Sequence, residues 1–213
     1  MLFRSMQRAA AAGATAVVLT GDTPHVGVKK RTGRGDLGLS QEQLYVNLAQ
    51  HLAAGVRGSD VFEQDPTIGL EVIGELAEAS GLPVLVKGVL RGDDAQACLD
   101  AGAAGVVVSN HGGRQLDRAV PTAQALPEVA AAVAGRAPVL VDGGIRSGVD
   151  VLIALALGAD AALLGRPVLW ALAAGGADAV RDCLSAVTAD LAHVMALAGA
   201  RTLSDVTTDL VAP

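Results

Sequence analysis

Aromatic residues, cysteines and basic charge are all scarce in this chain. Two Phe, one Trp and one Tyr among 213 residues are too few for a base-stacking platform. Acidic residues outnumber basic ones, 22 to 16, for a formal charge of −6, which excludes the electrostatic footprint of a nucleic-acid-binding protein. Cys98 and Cys183 make neither a disulfide framework nor a C-x-x-C pair and read as small packing residues. His25, His51, His111 and His193 are scattered, without H-E-x-x-H or a Cys/His pair, so no metal centre is expected. The longest apolar stretch, 149–170, is interrupted by Asp150, Asp160 and Arg166 and does not read as a membrane span. The first residues lead into an Arg- and Gln-bearing, alanine-rich helix rather than a secretory leader, so the cytoplasm is the expected compartment.

Hydrophobic residues make up 51% of the chain, and glycine contributes 26 positions. That composition supports a packed core and excludes disorder as the default. Continuously apolar runs at 15–20, 83–87, 105–109, 138–141 and 160–164 suit parallel strands buried on both faces. Alanine-rich stretches at 5–12, 41–54, 67–80, 93–101, 122–134 and 149–157 read as helices, and a helical tail follows from about Trp170. The alternation predicts an α/β fold with a parallel sheet, either an open doubly wound sheet or part of a (β/α) barrel. Five strands fall short of the eight in a complete barrel. Segment 27–38 is polar and basic and reads as a long loop after the first strand.

Polar residues follow each strand immediately, where βα enzymes place their sites. The strand ends carry Thr20-Gly-Asp22, Lys87-Gly88, Ser109-Asn-His-Gly-Gly-Arg-Gln115, Asp142-Gly-Gly-Ile-Arg146 and Gly165-Arg-Pro167. Five such ends in succession point to one convergent pocket. Asp142 to Gly148, running into a helix, reads as a phosphate cradle made of glycine backbone, helix N-terminus and the Arg146 fork. Gly165 and Arg166 repeat that theme after the last strand. Lys87 ends an apolar strand, so its ammonium needs a negative partner. His111 and Arg114, three residues apart in a glycine-flanked turn, suit proton removal and carboxylate binding on one small substrate. Asp22 is placed to hold the imidazole. Neither G-x-G-x-x-G nor G-x-S-x-G occurs at these ends. Trp170 and Met195 read as packing residues.

Through Ser109-Asn-His-Gly-Gly-Arg-Gln115 the sequence resembles the FMN-dependent 2-hydroxy acid dehydrogenase/oxidase family, which includes glycolate and lactate oxidases. Leu19-Thr-Gly-Asp-Thr-Pro24, Val84-Leu-Val-Lys-Gly88, Asp142-Gly-Gly-Ile-Arg-Ser-Gly148, Ala154-Leu-Ala-Leu-Gly-Ala159 and Gly165-Arg-Pro167 continue the likeness in family order. The resemblance implies strands four to eight of a (β/α)₈ barrel, a single domain over 1–213 lacking the first three strands. It implies FMN as cofactor and oxidation of a small 2-hydroxy acid to the 2-oxo acid. In that scheme His111 removes the hydroxyl proton, hydride passes to the flavin, Asp22 pairs with the imidazolium and Arg114 binds the substrate carboxylate. Lys87 faces the flavin ring, which Thr20 and Ser109 also contact. Asp142, Gly143, Gly144, Ile145 and Arg146, with Gly165 and Arg166, hold the ribityl chain and phosphate.

Two positions depart from the family pattern. Lys29 stands where a second substrate-binding arginine is usual, keeping the charge but losing the fork. Gly21 replaces a bulkier residue. Tyr45 lies in a helical stretch and is not assigned the family's substrate-binding tyrosine role. A homo-oligomer or a complementing N-terminal half is expected to cover the open barrel wall. The alternative expectation is an inactive fragment or an assembly partner. Phosphate-binding barrels of other families fit less well, because they do not account for the His111/Arg114 turn.

Overall fold

The computed structural model describes residues 2–25, 27, 40, 43 and 66–211. Apart from Gln43, the helix expected over 41–54 lies outside them, as do Lys29, His51 and all of the 27–38 loop except Gly27. The chain opens with α1 (Leu2–Ala11) and β1 (Val17–Thr20), and resumes with α2 (Glu71–Ser80) and β2 (Val84–Val89). It continues through α3 (Gly92–Asp100), β3 (Gly105–Val108), α4 (Thr122–Val133), β4 (Val139–Val141) and α5 (Gly148–Ala156). Last come β5 (Ala161–Ala162) and α6 (Arg166–Leu197). The strands form one parallel sheet in sequence order, β1-β2-β3-β4-β5, so every strand points its C-terminal end the same way.

The register places Thr20 opposite Lys87, Lys87 opposite Val107, Val107 opposite Leu140 and Leu140 opposite Ala161. Because side chains alternate along a strand, these residues share one face of the sheet. The other face carries Val17, Val84, Val86, Val106, Val108, Val139 and Val141. They pack with Ile73, Leu76, Cys98, Leu126, Val129 and Val133 of the helices into one core. Each fully buried aliphatic side chain there stabilises the fold by roughly 1.5–3 kcal/mol. Burial on both faces, expected of every strand, holds throughout β3. It fails at the margins, where Val18 is 52% exposed and Ala161 is also exposed. The cause is position, since β1 and β5 each pair on one side only.

Most element limits shift by a few residues from the sequence reading, and two of the shifts have a visible cause. Helix α2 starts at Glu71 rather than 67, because the Glu71 carboxylate accepts from the Gly69 amide and holds a turn before it. Helix α6 begins at Arg166, four residues before Trp170, and is broken where Gly175 and Gly176 leave helical geometry. Its far half returns to α5, and Met195, Ala200 and Val206 bury Leu152 and Ala156 in a second core cluster. There the Asp190 carboxylate accepts from the Gly148 amide at the start of α5. This is a charge-assisted cap supplied by a distant helix. Asp190→Ala is therefore expected to cost about 1–2 kcal/mol, read as a lower midpoint in thermal unfolding with the sheet intact by circular dichroism.

Candidate active site

The site is assembled from the loops at the C-terminal ends of the strands. After β3, Ser109 is completely buried, and the chain turns through His111–Gly113 with His111 at φ 56°. That left-handed conformation is uncommon for a residue with a side chain and clusters at functional sites. It directs the imidazole back towards β1, where Nδ1 lies 3.2 Å from Asp22 Oδ1. An ionised carboxylate only accepts hydrogen bonds, so Nδ1 carries the proton and Nε2 is left with a free lone pair. The His111 side chain is 35% exposed and that of Asp22 14%, leaving the imidazole reachable and its partner shielded.

Lys87, at the β2 end, has the negative partner its position demands. Its Nζ donates to Asp142 Oδ2 at 2.9 Å and to Ser109 Oγ at 2.6 Å. Ser109 Oγ also accepts from the His111 backbone N–H at 3.1 Å. One buried hydroxyl thus fixes both the lysine head and the start of the histidine turn. Thr20 stands beside Lys87 in register, exposed on the sheet face. The Asp142 amide donates to Val108 O at 3.0 Å, anchoring the next loop to β3.

A cleft of about 280 Å³ opens among these ends. It is lined by Lys87, His111 and Arg114, by Asp142 to Arg146, and by Leu163, Gly165, Arg166 and Leu169. Gly143 and Gly144 have φ of 92° and 85°, and a Cβ on Gly144 would meet nothing within 4 Å. The loop therefore presents bare backbone to the cleft. Ile145 is buried and pins it. The Arg166 guanidinium reaches across towards the histidine turn, its Nη2 3.5 Å from where a Gly112 Cβ would sit.

One part of the phosphate-cradle expectation is narrowed. At the start of α5 a capping box and Asp190 already take the Gly148 and Asp150 amides and the two before them. Asp150 Oδ2 accepts from the Arg146 and Ser147 amides, Ser147 Oγ accepts from the Asp150 amide, and Asp190 takes Gly148. The start of α6 has no side-chain cap, so the helix end suited to an anion is the one carrying Gly165 and Arg166.

Trp170 is likewise not a core residue. It is 54% exposed, and the Arg146 guanidinium lies over its ring, 5.0 Å from the centroid. That cation–π contact orients a cleft arginine. The Ser147-x-x-Asp150 spacing was a readable capping-box signal. Nothing local announces the approach of Trp170 or of Asp190, since both depend on the path of α6.

The polar balance defines what fits. Among the described residues Asp142 Oδ1 and Asp22 Oδ2 are buried without a hydrogen-bond partner, which leaves acceptors calling for further donors. Arg114, Arg146 and Arg166 have no carboxylate partner among the described residues. Unpaired cations, bare glycine backbone and an orphaned acceptor together suit a hydroxyl-bearing phosphate ester. Among the described residues no cluster suited to a metal ion occurs, and no helix is long and apolar enough to cross a membrane.

A parallel βα sheet with a cleft at its strand ends, lined by an imidazole that is paired with a carboxylate, has the layout in which βα proteins place their sites. Comparison with known proteins narrows the class: the model for "FMN-dependent dehydrogenase" matches residues 2–213, and the chain belongs to that family. The L-lactate oxidase of a Nostoc strain is 43% identical over 97% of this chain and 59% of its own length. The 4-hydroxymandelate oxidase of Amycolatopsis orientalis is 46% identical over 91% of this chain and 56% of its own. Among solved structures, the lactate oxidase of Pediococcus acidilactici superposes with a TM-score of 0.85 at 35% identity, covering 97% of this chain and 56% of that one. A mandelate oxidase variant with a monooxide FMN adduct gives a TM-score of 0.77 at 41% identity, with 96% and 56% covered. The fold is thus part of a (β/α)₈ barrel, and the chain spans a little over half the length of these relatives.

Proposed function

We propose that this chain, as one domain over 1–213, carries the catalytic residues of an FMN-dependent cytoplasmic oxidoreductase that converts small 2-hydroxy acids to 2-oxo acids. One observation carries the reading. His111, paired with Asp22, and Arg114 line the same cleft as the bare Gly143–Gly144 backbone. His111 Nε2 accepts the 2-hydroxyl proton, and Asp22 stabilises the resulting imidazolium through Nδ1–H. Arg114 binds the substrate carboxylate with its fork and fixes which face of the α-carbon is presented. Lys29, which lies outside the described residues, is proposed from the sequence alone as a second, unforked cation for that carboxylate.

FMN, when bound, supplies the two-electron acceptor for the α-carbon. The backbone of Gly143, Gly144 and Ile145, with Arg146, Gly165 and Arg166, holds its phosphate and ribityl chain. The orphaned Asp142 oxygen accepts from a ribityl hydroxyl. Lys87 lends positive charge to the ring, Thr20 lies along it, and Ser109 acts by holding Lys87. The test is an anaerobic mixture of the chain, FMN and lactate, glycolate or mandelate. Bleaching of the flavin absorbance with formation of one 2-oxo acid per flavin is expected. Bound FMN that no 2-hydroxy acid bleaches would overturn the reading.

A second role accompanies the first, favoured by the one-sided pairing of β1 and β5 and by the exposed Val18. These edges receive a complementing N-terminal half of the same family, which closes the barrel in preference to a homo-oligomer.

A further inference from the structure

We propose that Gly88 is the positioning residue for the Asp22–His111 pair. Its bare Cα is the surface on which the Asp22 carboxylate is seated, and a side chain there turns that carboxylate away from the imidazole. The meaning of the pair as a proton acceptor rests on the function proposed above, whereas the contact itself does not.

Strand β2 does not run evenly past β3. Lys87 pairs with Val107 and Val89 with Val108, so Gly88 is an extra residue in a bulge, at φ 109°. The bulge lies directly under the β1 loop. A Cβ on Gly88 would sit 2.5 Å from Asp22 Cβ, 2.7 Å from its Cγ and 2.9 Å from its backbone N. Carbon atoms approach favourably only to about 3.5 Å, so an alanine at 88 and the present Asp22 cannot coexist.

The conflict is not easily relieved by the backbone. Gly21 N–H donates to Lys87 O at 2.7 Å, and Thr20 is registered with Lys87, which ties the root of the Asp22 loop to the same strand. The carboxylate is therefore the part that yields. Among the described residues nothing else holds it in place, since there Oδ2 is buried without a partner and Oδ1 has only the imidazole. At 3.2 Å that bond is already at the long end of the N–H···O range, so a displacement of a few tenths of an ångström removes it. The same bulge follows Lys87, whose head is fixed separately by Ser109 and Asp142. Substitution at 88 thus strikes the histidine pair while leaving the lysine its own anchors.

The experiment uses ¹⁵N-histidine-labelled chain without flavin, with the His111 signals assigned by their loss in His111→Asn. Wild type is expected to show the Nδ1–H tautomer, distinguished from the alternative by its ring-nitrogen shifts. Gly88→Ala is expected to lose that preference to the same degree as Asp22→Ala, and the double variant Gly88→Ala/Asp22→Ala to add nothing further, as for two changes acting through one contact. Where turnover is measured, Gly88→Ala lowers kcat about 10²-fold with little change in KM, because Arg114 still holds the substrate.

Unchanged tautomer preference in Gly88→Ala, or effects that add to those of Asp22→Ala, would overturn the proposal. Should Gly88→Ala fail to fold, Asp22→Gly/Gly88→Ala decides. Alanine at φ 109° is strained whatever its neighbours, so the comparison is relative: a double variant more stable than Gly88→Ala alone supports the contact, and one no more stable rejects the proposal. A tautomer change in a chain that oxidises no 2-hydroxy acid rejects the functional reading alone. Normal turnover with an unchanged tautomer rejects only the role of Gly88.

Discussion

His111→Ala is expected to slow reduction of bound FMN by a 2-hydroxy acid about 10²–10⁴-fold, the usual contribution of a positioned general base. The expectation follows from the lone pair left on Nε2 once Asp22 Oδ1 engages Nδ1 at 3.2 Å, and from the absence of a second histidine among the described residues that line the cleft. His25 and His193 are exposed elsewhere on the surface. Neither Lys87 nor Asp142 can substitute for the imidazole, because they neutralise each other at 2.9 Å. Stopped-flow absorbance of the variant, pre-loaded with FMN, separates this effect from a loss of cofactor. FMN binding should be nearly unchanged, since the residues proposed to hold its phosphate and ribityl chain do not include His111. A variant that bleaches at the wild-type rate would remove His111 from the mechanism.

Arg166→Ala is expected to weaken FMN binding about 10- to 100-fold while leaving riboflavin affinity nearly unchanged. The difference isolates the phosphate. A hydrogen bond to a charged group contributes about 1.5–3 kcal/mol, and about 1.4 kcal/mol corresponds to a tenfold change in affinity. Arg166 is expected to matter more than Arg146, for two reasons found in the fold. It sits at the uncapped start of α6, whereas the amides at the start of α5 are already taken by Asp150 and Asp190. Arg146 also has the Trp170 ring to hold it. Fluorescence-quenching titrations with the two flavins measure both effects. Equal losses for FMN and riboflavin would place Arg166 away from the phosphate.

The strand ends were legible in the sequence because a buried parallel strand must be apolar and its C-terminal loop need not be. Lys87, Asp142, His111 and Asp22 stood out as polar residues just past uniformly apolar runs, and the sheet order then brings them to one side. The partner of Lys87 could be demanded by charge but not named, since Asp142 comes from two strands further on. What could not be read was set by tertiary approach. Trp170 looked like core because large aromatics usually are, yet α6 starts early enough to swing it under Arg146. Nothing in the sequence ranks the two similar glycine turns, both of which read as parts of a phosphate cradle. Only the distant Asp190, carried back by the break at Gly175–Gly176, decides which end is closed. Gly88 passed as an ordinary turn glycine because a β-bulge leaves no local signature, and its neighbour Asp22 lies 66 residues earlier in the chain. Exposure of Val18 was equally invisible, since it depends on which strands stand at the margins of the sheet.

The most direct measurement is a two-dimensional amide and histidine NMR titration of the chain with FMN. The amides of Gly143, Gly144, Ile145, Gly165 and Arg166 should shift together with the His111 ring, in one saturable event that inorganic phosphate partly mimics at the glycines alone. Shifts confined to other surfaces, or glycine turns and imidazole responding to separate binding events, would contradict a single flavin-binding cleft with a proton acceptor on its rim.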